Sequence, residues 1–178
     1  ESDLAKINQH KVIAESGIST KRKKSKKYTI TKMSVNSFTS AFSPYLDNLD
    51  YFSAALIFYC SENNVSKNYI IAKDLGINEN DFIEFIKTKF GVTINSLLDY
   101  ESLAIITTKV KDLITQVIDN NMDLKTALFS GKGWFDAPYY INFLYSSGQL
   151  TDQIFVPYII DNGSQRSKGK YTIIIKPK

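Results

Sequence analysis

The chain has 178 residues, 43% of them hydrophobic and 22% charged, with 22 Lys/Arg, 18 Asp/Glu, one His and one Cys. This is ordinary globular composition, enough for one domain or two small ones sharing a core. A single Cys60 excludes an internal disulfide and a cysteine zinc finger, and with His10 as the one histidine a Ser-His-Asp or Cys-His pair or a His-rich metal site in the body is excluded too.

Charge is unevenly placed. Residues 1–32 hold nine Lys/Arg against three Asp/Glu, which leaves thirteen against fifteen in residues 33–178. The body is mildly acidic and the N-terminal arm carries the excess. A basic arm on a near-neutral body suits contact with phosphates, anionic lipid or an acidic partner. Residues 1–27 end in "KRKKSKK", Lys21–Lys27, a run whose self-repulsion predicts an extended arm, disordered on its own. Its plainer reading is a solvated linker. Its functional reading is nucleic-acid contact, or a nuclear-import signal in a eukaryotic host.

"KYTITKM" (Lys27–Met33) alternates and is β-branched, which predicts a short strand. "SFTSAFSPYLDNL" supplies a first short helix, with Pro44 interrupting or starting one. "NLDYFSAALIFYCSEN" is apolar nearly all round, the pattern of a central buried helix. Within it "FSAALIFYC" is far shorter than the roughly 18 apolar residues of a membrane span, so no membrane partner is expected. Cys60 ends this run and reads as a small buried hydrophobe. "SKNYIIAKDLG" starts after Ser66 and stops at Gly76, and "NENDFIEFIKTKFG" starts at the capping residue Asn78 and stops at Gly91. Leu103, Ile106, Val110, Leu113, Ile114 and Val117 form one stripe of a long linking helix. "MDLKTALFSGKG" and "WFDAPYYINFLYSSG" follow as a second short-helix pair. "QIFVPYII" (Gln153–Ile160), with Pro157 marking an edge or bulge, and "GKYTIIIK" (Gly169–Lys176) close the chain as a long-looped β-hairpin with a basic tip.

"SGKGW" (Ser130–Trp134) lacks the spacing of a phosphate-binding loop and reads as a turn. The acids at Asp47/Asp50, Glu79/Asp81/Glu84 and Asp99/Glu101 form no calcium loop or paired-metal motif and suit solvated helix faces. No catalytic activity and no cofactor is expected, a metal-dependent nuclease built from scattered acids, or a toxin of unrecognised type, being the remaining alternative.

In Asn68–Thr93, "NYIIAKDLGINENDFIEFIKTKFGVT", Ala72 is followed by apolar Leu75, Ile77, Phe82 and Ile86, and then by Gly91. A helix-turn-helix needs this order: a small residue at the crossing, a Gly turn, apolar anchors under the second helix. The pattern resembles the first helix-turn-helix of the arabinose-regulator (AraC) family of transcription factors. "GVTINSLLDYESL" resembles the family's lead into its linking helix. "GWFDAPYYINFL", through Gly133, Trp134, Asp136, Tyr139 and Tyr140, resembles the run before its second recognition helix. The resemblance covers Tyr51 to Gly148. A second, architectural resemblance is to winged-helix domains, with Asp136–Ser146 as recognition helix and Gln153–Lys176 as the wing.

The fold expected is therefore α+β, mostly α: helix-turn-helix pairs around a long linking helix, a wing-like C-terminal β-hairpin, a basic arm over 1–27 and one globular domain over 28–178. What this implies is a non-catalytic DNA-binding protein of transcription- or replication-regulator type, cytoplasmic on the nucleoid or nuclear in a eukaryote. Double-stranded DNA is the expected partner. The candidate contacts are Lys21, Arg22, Lys23, Lys24, Lys26 and Lys27 on the arm, then Asn78, Asn80, Lys87 and Lys89 on the first reading helix. Tyr139 and Asn142 are those of the second, and Arg166, Lys168 and Lys170 lie at the wing tip. Between Asn36 and Leu150, eight Lys/Arg face thirteen Asp/Glu, so the arm and wing must supply the phosphate grip. The alternative is a helical protein-interaction module, or a homodimer, using aromatics such as Tyr139, Tyr140, Tyr145 and Tyr158.

Overall fold

The computed structural model describes residues 7–9, 11–12, 17–22, 28–60, 76–96, 100–134, 139–144, 150–152, 155–162 and 171–178. These residues are mostly helical, with short strands at both ends of the chain.

Helix α1 spans Val35–Phe42, opened by Ser34, whose Oγ accepts from the Ser37 amide at 3.1 Å. Val35, Phe38 and Phe42 recur on its buried face, and Pro44 stands just past its end rather than inside it. Helix α2, Leu49–Cys60, is buried from Ala54 through Cys60 and packs against α1. The expectation of a central buried helix holds because its apolar residues leave no solvated stripe. Helix α3, Glu79–Phe90, begins and ends where its caps predict. Asn78 Oδ1 accepts from the Asn80 and Asp81 amides at 2.9 and 3.2 Å, and Gly91 closes it at φ 66°. A left-handed residue there satisfies the last carbonyls at no steric cost to glycine. Helix α4, Tyr100–Asn120, is the long linking helix, with Ile106, Val110, Ile114 and Val117 buried along one stripe. Helix α5, Met122–Ser130, ends at Gly131, followed by the turn that "SGKGW" predicts.

Strands β1 (Ile7–Asn8) and β2 (Lys11–Val12) form a small antiparallel pair. Strand β3 (Gly17–Arg22) pairs in parallel with β5 (Tyr139–Leu144), and β5 pairs antiparallel with β6 (Leu150–Asp152). A second sheet has the order β4 (Thr31–Ser34), β8 (Thr172–Pro177), β7 (Tyr158–Asn162). Ile30 donates to the Ile175 carbonyl and Val35 to that of Tyr171, so β4 and β8 run in opposite directions. The strands in "KYTITKM" and "GKYTIIIK" are thus sheet neighbours, as are the two strands of the expected hairpin.

Two expectations are corrected. The segment Asp136–Ser146, read as a recognition helix, contains strand β5 instead. Tyr, Ile and Phe suit a pleated strand, and Pro138 disfavours helix in the residue before it. Within the stretch read as an extended arm, Gly17–Arg22 is a strand. Ile18 and Thr20 favour one, and backbone pairing to β5 outweighs repulsion at its two terminal cations. The strand expected at Gln153–Ile160 begins only after Pro157, which has no amide to give to a ladder. The first helix of the opening pair lies outside the described residues, as do Lys23, Lys24, Lys26, Lys27, Arg166, Lys168 and Lys170.

The chain divides into two compact units. One comprises Lys32–Val117 and Asn162–Ile173. Its core is aromatic: Phe38 stacks on Phe42 at 4.4 Å between ring centres, Phe42 lies 6.0 Å from Phe52, and Phe58 meets Phe82 edge-on at 5.2 Å. Cys60 belongs to it, 1% exposed, its thiol donating to the Thr172 carbonyl at 3.5 Å. The other unit comprises Glu1–Thr31, Ile118–Asp161 and Ile174–Lys178, with Leu124, Leu128, Phe129, Ile160 and Ile175 buried.

Burial pushes the Cys60 thiol up to about 12 from an ordinary 9.0, against a smaller lowering by the Thr172 backbone. Below pH 9 the thiol is neutral whether the chain is folded or not. Between 9 and about 12 only the unfolded chain releases the proton, so folding stability falls with rising pH. Cys60→Ala should make the denaturant midpoint less pH-dependent over that window, beyond its own constant cavity cost. An unchanged slope would remove the thiol from the linkage.

Candidate nucleic-acid interface

Helix α3 carries the first set of candidate contacts. Phe82, Phe85 and Ile86 anchor its inner face, leaving Asn80, Asp81, Glu84, Lys87, Thr88 and Lys89 exposed. Asn78 is occupied: its side-chain oxygen caps the helix. Asn78→Ala should lower stability by about 1 kcal/mol, with Asn78→Asp near neutral, as urea unfolding would read. Lys87 pairs with Glu84 at 3.6 Å, both side chains well exposed, so the pair is weak. Glu84 Oε1 also accepts from Thr88 at 3.5 Å, and Glu79 accepts from Ser96 at 3.4 Å. Among the described residues Asn80 and Lys89 are left without a side-chain partner, Asn80 beside the first-turn acids Glu79 and Asp81 that serve the helix's positive end and Lys89 in its last turn.

The second set is brought together by β3 and β5. In their parallel register Gly17 lies opposite Tyr139, Thr20 opposite Asn142, Lys21 opposite Phe143 and Arg22 opposite Leu144. On its other side Asn142 pairs with Asp152. Lys21 and Arg22 therefore share one sheet with Tyr139 and Asn142. Asn78, Asn80, Lys87 and Lys89 belong to the other compact unit.

Tyr158, expected as an exposed binding aromatic, is committed internally. Its hydroxyl donates to Asp119 at 3.1 Å, and its ring meets Phe129 edge-on at 5.5 Å. Lys125 pairs with the same carboxylate at 2.7 Å and stands 5.6 Å from the Tyr158 ring centre and 5.8 Å from that of Phe155. Burial, then the hydrogen bond and charge of Asp119, push the Tyr158 hydroxyl well above its ordinary range. This is a neutral, structural tyrosine. Tyr145 lies outside the described residues.

Sequence reasoning missed a groove. A cavity of about 800 Å³ is lined by Leu46, Asn48, Asp50, Tyr51, Ile77 and Asp81, among others. A smaller one of about 250 Å³ shares Asn48, Tyr51 and Asp81 with it and continues along α3 past Glu84, Phe85 and Lys89. Its rim comes from the starts of α2 and α3, some thirty residues apart in sequence, so no local motif announces it. Asn48 on this rim holds φ 54°, a left-handed conformation Asn tolerates better than other non-glycine residues.

Among the described residues no three His, Cys, Asp or Glu side chains converge as metal ligands, and no helix is long and apolar enough to cross a membrane. No family model, curated protein or solved structure matches the chain.

Proposed function

We propose that the chain is a non-catalytic DNA-binding module of transcription- or replication-regulator type, acting on double-stranded DNA in the nucleoid or nucleus. One observation carries the reading. Lys21 and Arg22, the first two cations of "KRKKSKK", lie on a strand paired with Asn142–Leu144. The basic run is thereby tied to folded backbone at its start, and Tyr28 follows its end. A cation-rich segment held this way pays less entropy on meeting phosphates than a free tail does. In this proposal the run grips the backbone, while Asn80 and Lys89 on α3 are left to probe a groove, as in helix-turn-helix and winged-helix domains. Titration of a mixed-sequence duplex at 50 and 200 mM salt tests it. Binding that weakens steeply between the two is expected, and none at either salt would sink the reading.

A second reading, a helical protein-interaction module, is favoured by the groove between the starts of α2 and α3, whose lining suits a side chain rather than a phosphate.

A further inference from the structure

The groove has an apolar floor and an acidic rim. Leu46, Tyr51, Ile77 and Phe85 supply the floor, and Asp50, Asp81 and Glu84 the rim. Tyr51 is fixed there, its ring 5.4 Å from Phe85 and 6.2 Å from Phe82. The Asp50 and Asp81 carboxylates make no ion pair or hydrogen bond among the described residues. Each stands in the first turn of a helix, which offsets about half a unit of its charge. Among the described residues that line the larger cavity, Asp50 and Asp81 are the charged ones, and Lys89 lines only the smaller cavity.

A lysine side chain has the matching anatomy. Its methylene stem covers apolar surface while its ammonium seeks carboxylate or an aromatic face. We propose that this groove docks a lysine-bearing peptide segment of a partner protein, the stem over Tyr51 and the ammonium between Asp50 and Asp81. The groove's size admits a few residues of such a segment rather than a lone ion. The groove uses no residue of the basic run, so the proposal goes beyond DNA binding and does not depend on it.

Fluorescence anisotropy of labelled pentalysine against the full chain at 50 mM salt tests this, with pentaserine as control. Saturable binding is expected, weakened about tenfold in Asp50→Asn/Asp81→Asn, the size of one or two screened charge contacts. Asp112→Asn/Asp123→Asn, which removes the same charge from exposed positions outside the groove, should leave it unchanged. Unfolding midpoints of both variants check that the fold survives. Equal loss in the two variants, or no binding by the folded wild type, overturns the proposal. So does spermine binding as tightly as pentalysine, which assigns the groove to a small polycation. Dimerisation abolished by Asp50→Asn/Asp81→Asn also overturns it, assigning the groove to a second copy.

Discussion

Phe82→Ala is expected to destabilise the unit built on α2 and α3 by about 3–5 kcal/mol, the range for removing a buried aromatic ring. Phe82 is 0% exposed. Its ring lies 5.2 Å from Phe58, 6.1 Å from Phe85 and 6.2 Å from Tyr51, so three aromatic neighbours lose a packing face together. Such pairs contribute about 0.5–1.5 kcal/mol each beyond their buried area. Against a total stability of roughly 5–15 kcal/mol, the loss moves the urea midpoint far enough to leave a measurable unfolded fraction in buffer. Phe82→Leu refills most of the volume and should cost about 1–2 kcal/mol. A loss under about 1 kcal/mol for the alanine variant would place Phe82 outside a close-packed core. Because the same ring backs Tyr51, pentalysine binding should weaken together with stability in Phe82→Ala, and less in Phe82→Leu.

The helices were legible in the sequence where local chemistry decides them. Asn78 and Gly91 bracket α3 because a side-chain oxygen and a left-handed glycine satisfy its loose backbone groups, and both signals are local. α2 was legible because a run that is apolar all round has no place except the interior. Tyr139–Leu144 was misread for a physical reason. Nearly every position is apolar or aromatic, so neither a period of two nor one of 3.6 stands out. Its strand state is settled by a partner from the opposite end of the chain, Gly17–Arg22, and no local pattern encodes that pairing. The groove was hidden for the same reason. Asp50 and Asp81 each read as an acid on a solvated helix face, and only the fold sets both on one cavity.

The β3–β5 pairing also decides how the basic run must be tested. Deleting residues 1–27 would strip β5 of its parallel neighbour, so lost binding could reflect a damaged sheet. Replacing Lys21, Arg22, Lys23, Lys24, Lys26 and Lys27 with Gln removes six charges and keeps the backbone. If all six meet phosphates, each releases about 0.9 counterion, and the slope of log affinity against log salt should flatten by about 5. Wild-type affinity should then fall roughly a thousandfold between 50 and 200 mM salt, and the variant's far less. Anisotropy with a labelled duplex reads both slopes, and unchanged circular dichroism certifies the sheet. Asn80→Ala/Lys89→Gln separates grip from reading. If α3 enters the groove, that variant loses discrimination between duplexes of different sequence while keeping most of its salt slope. If discrimination is absent from the start, α3 is scaffold and the basic run alone holds the DNA. A salt slope identical in wild type and the six-Gln variant would take the run out of the interface, and with it the observation on which the DNA-binding proposal stands.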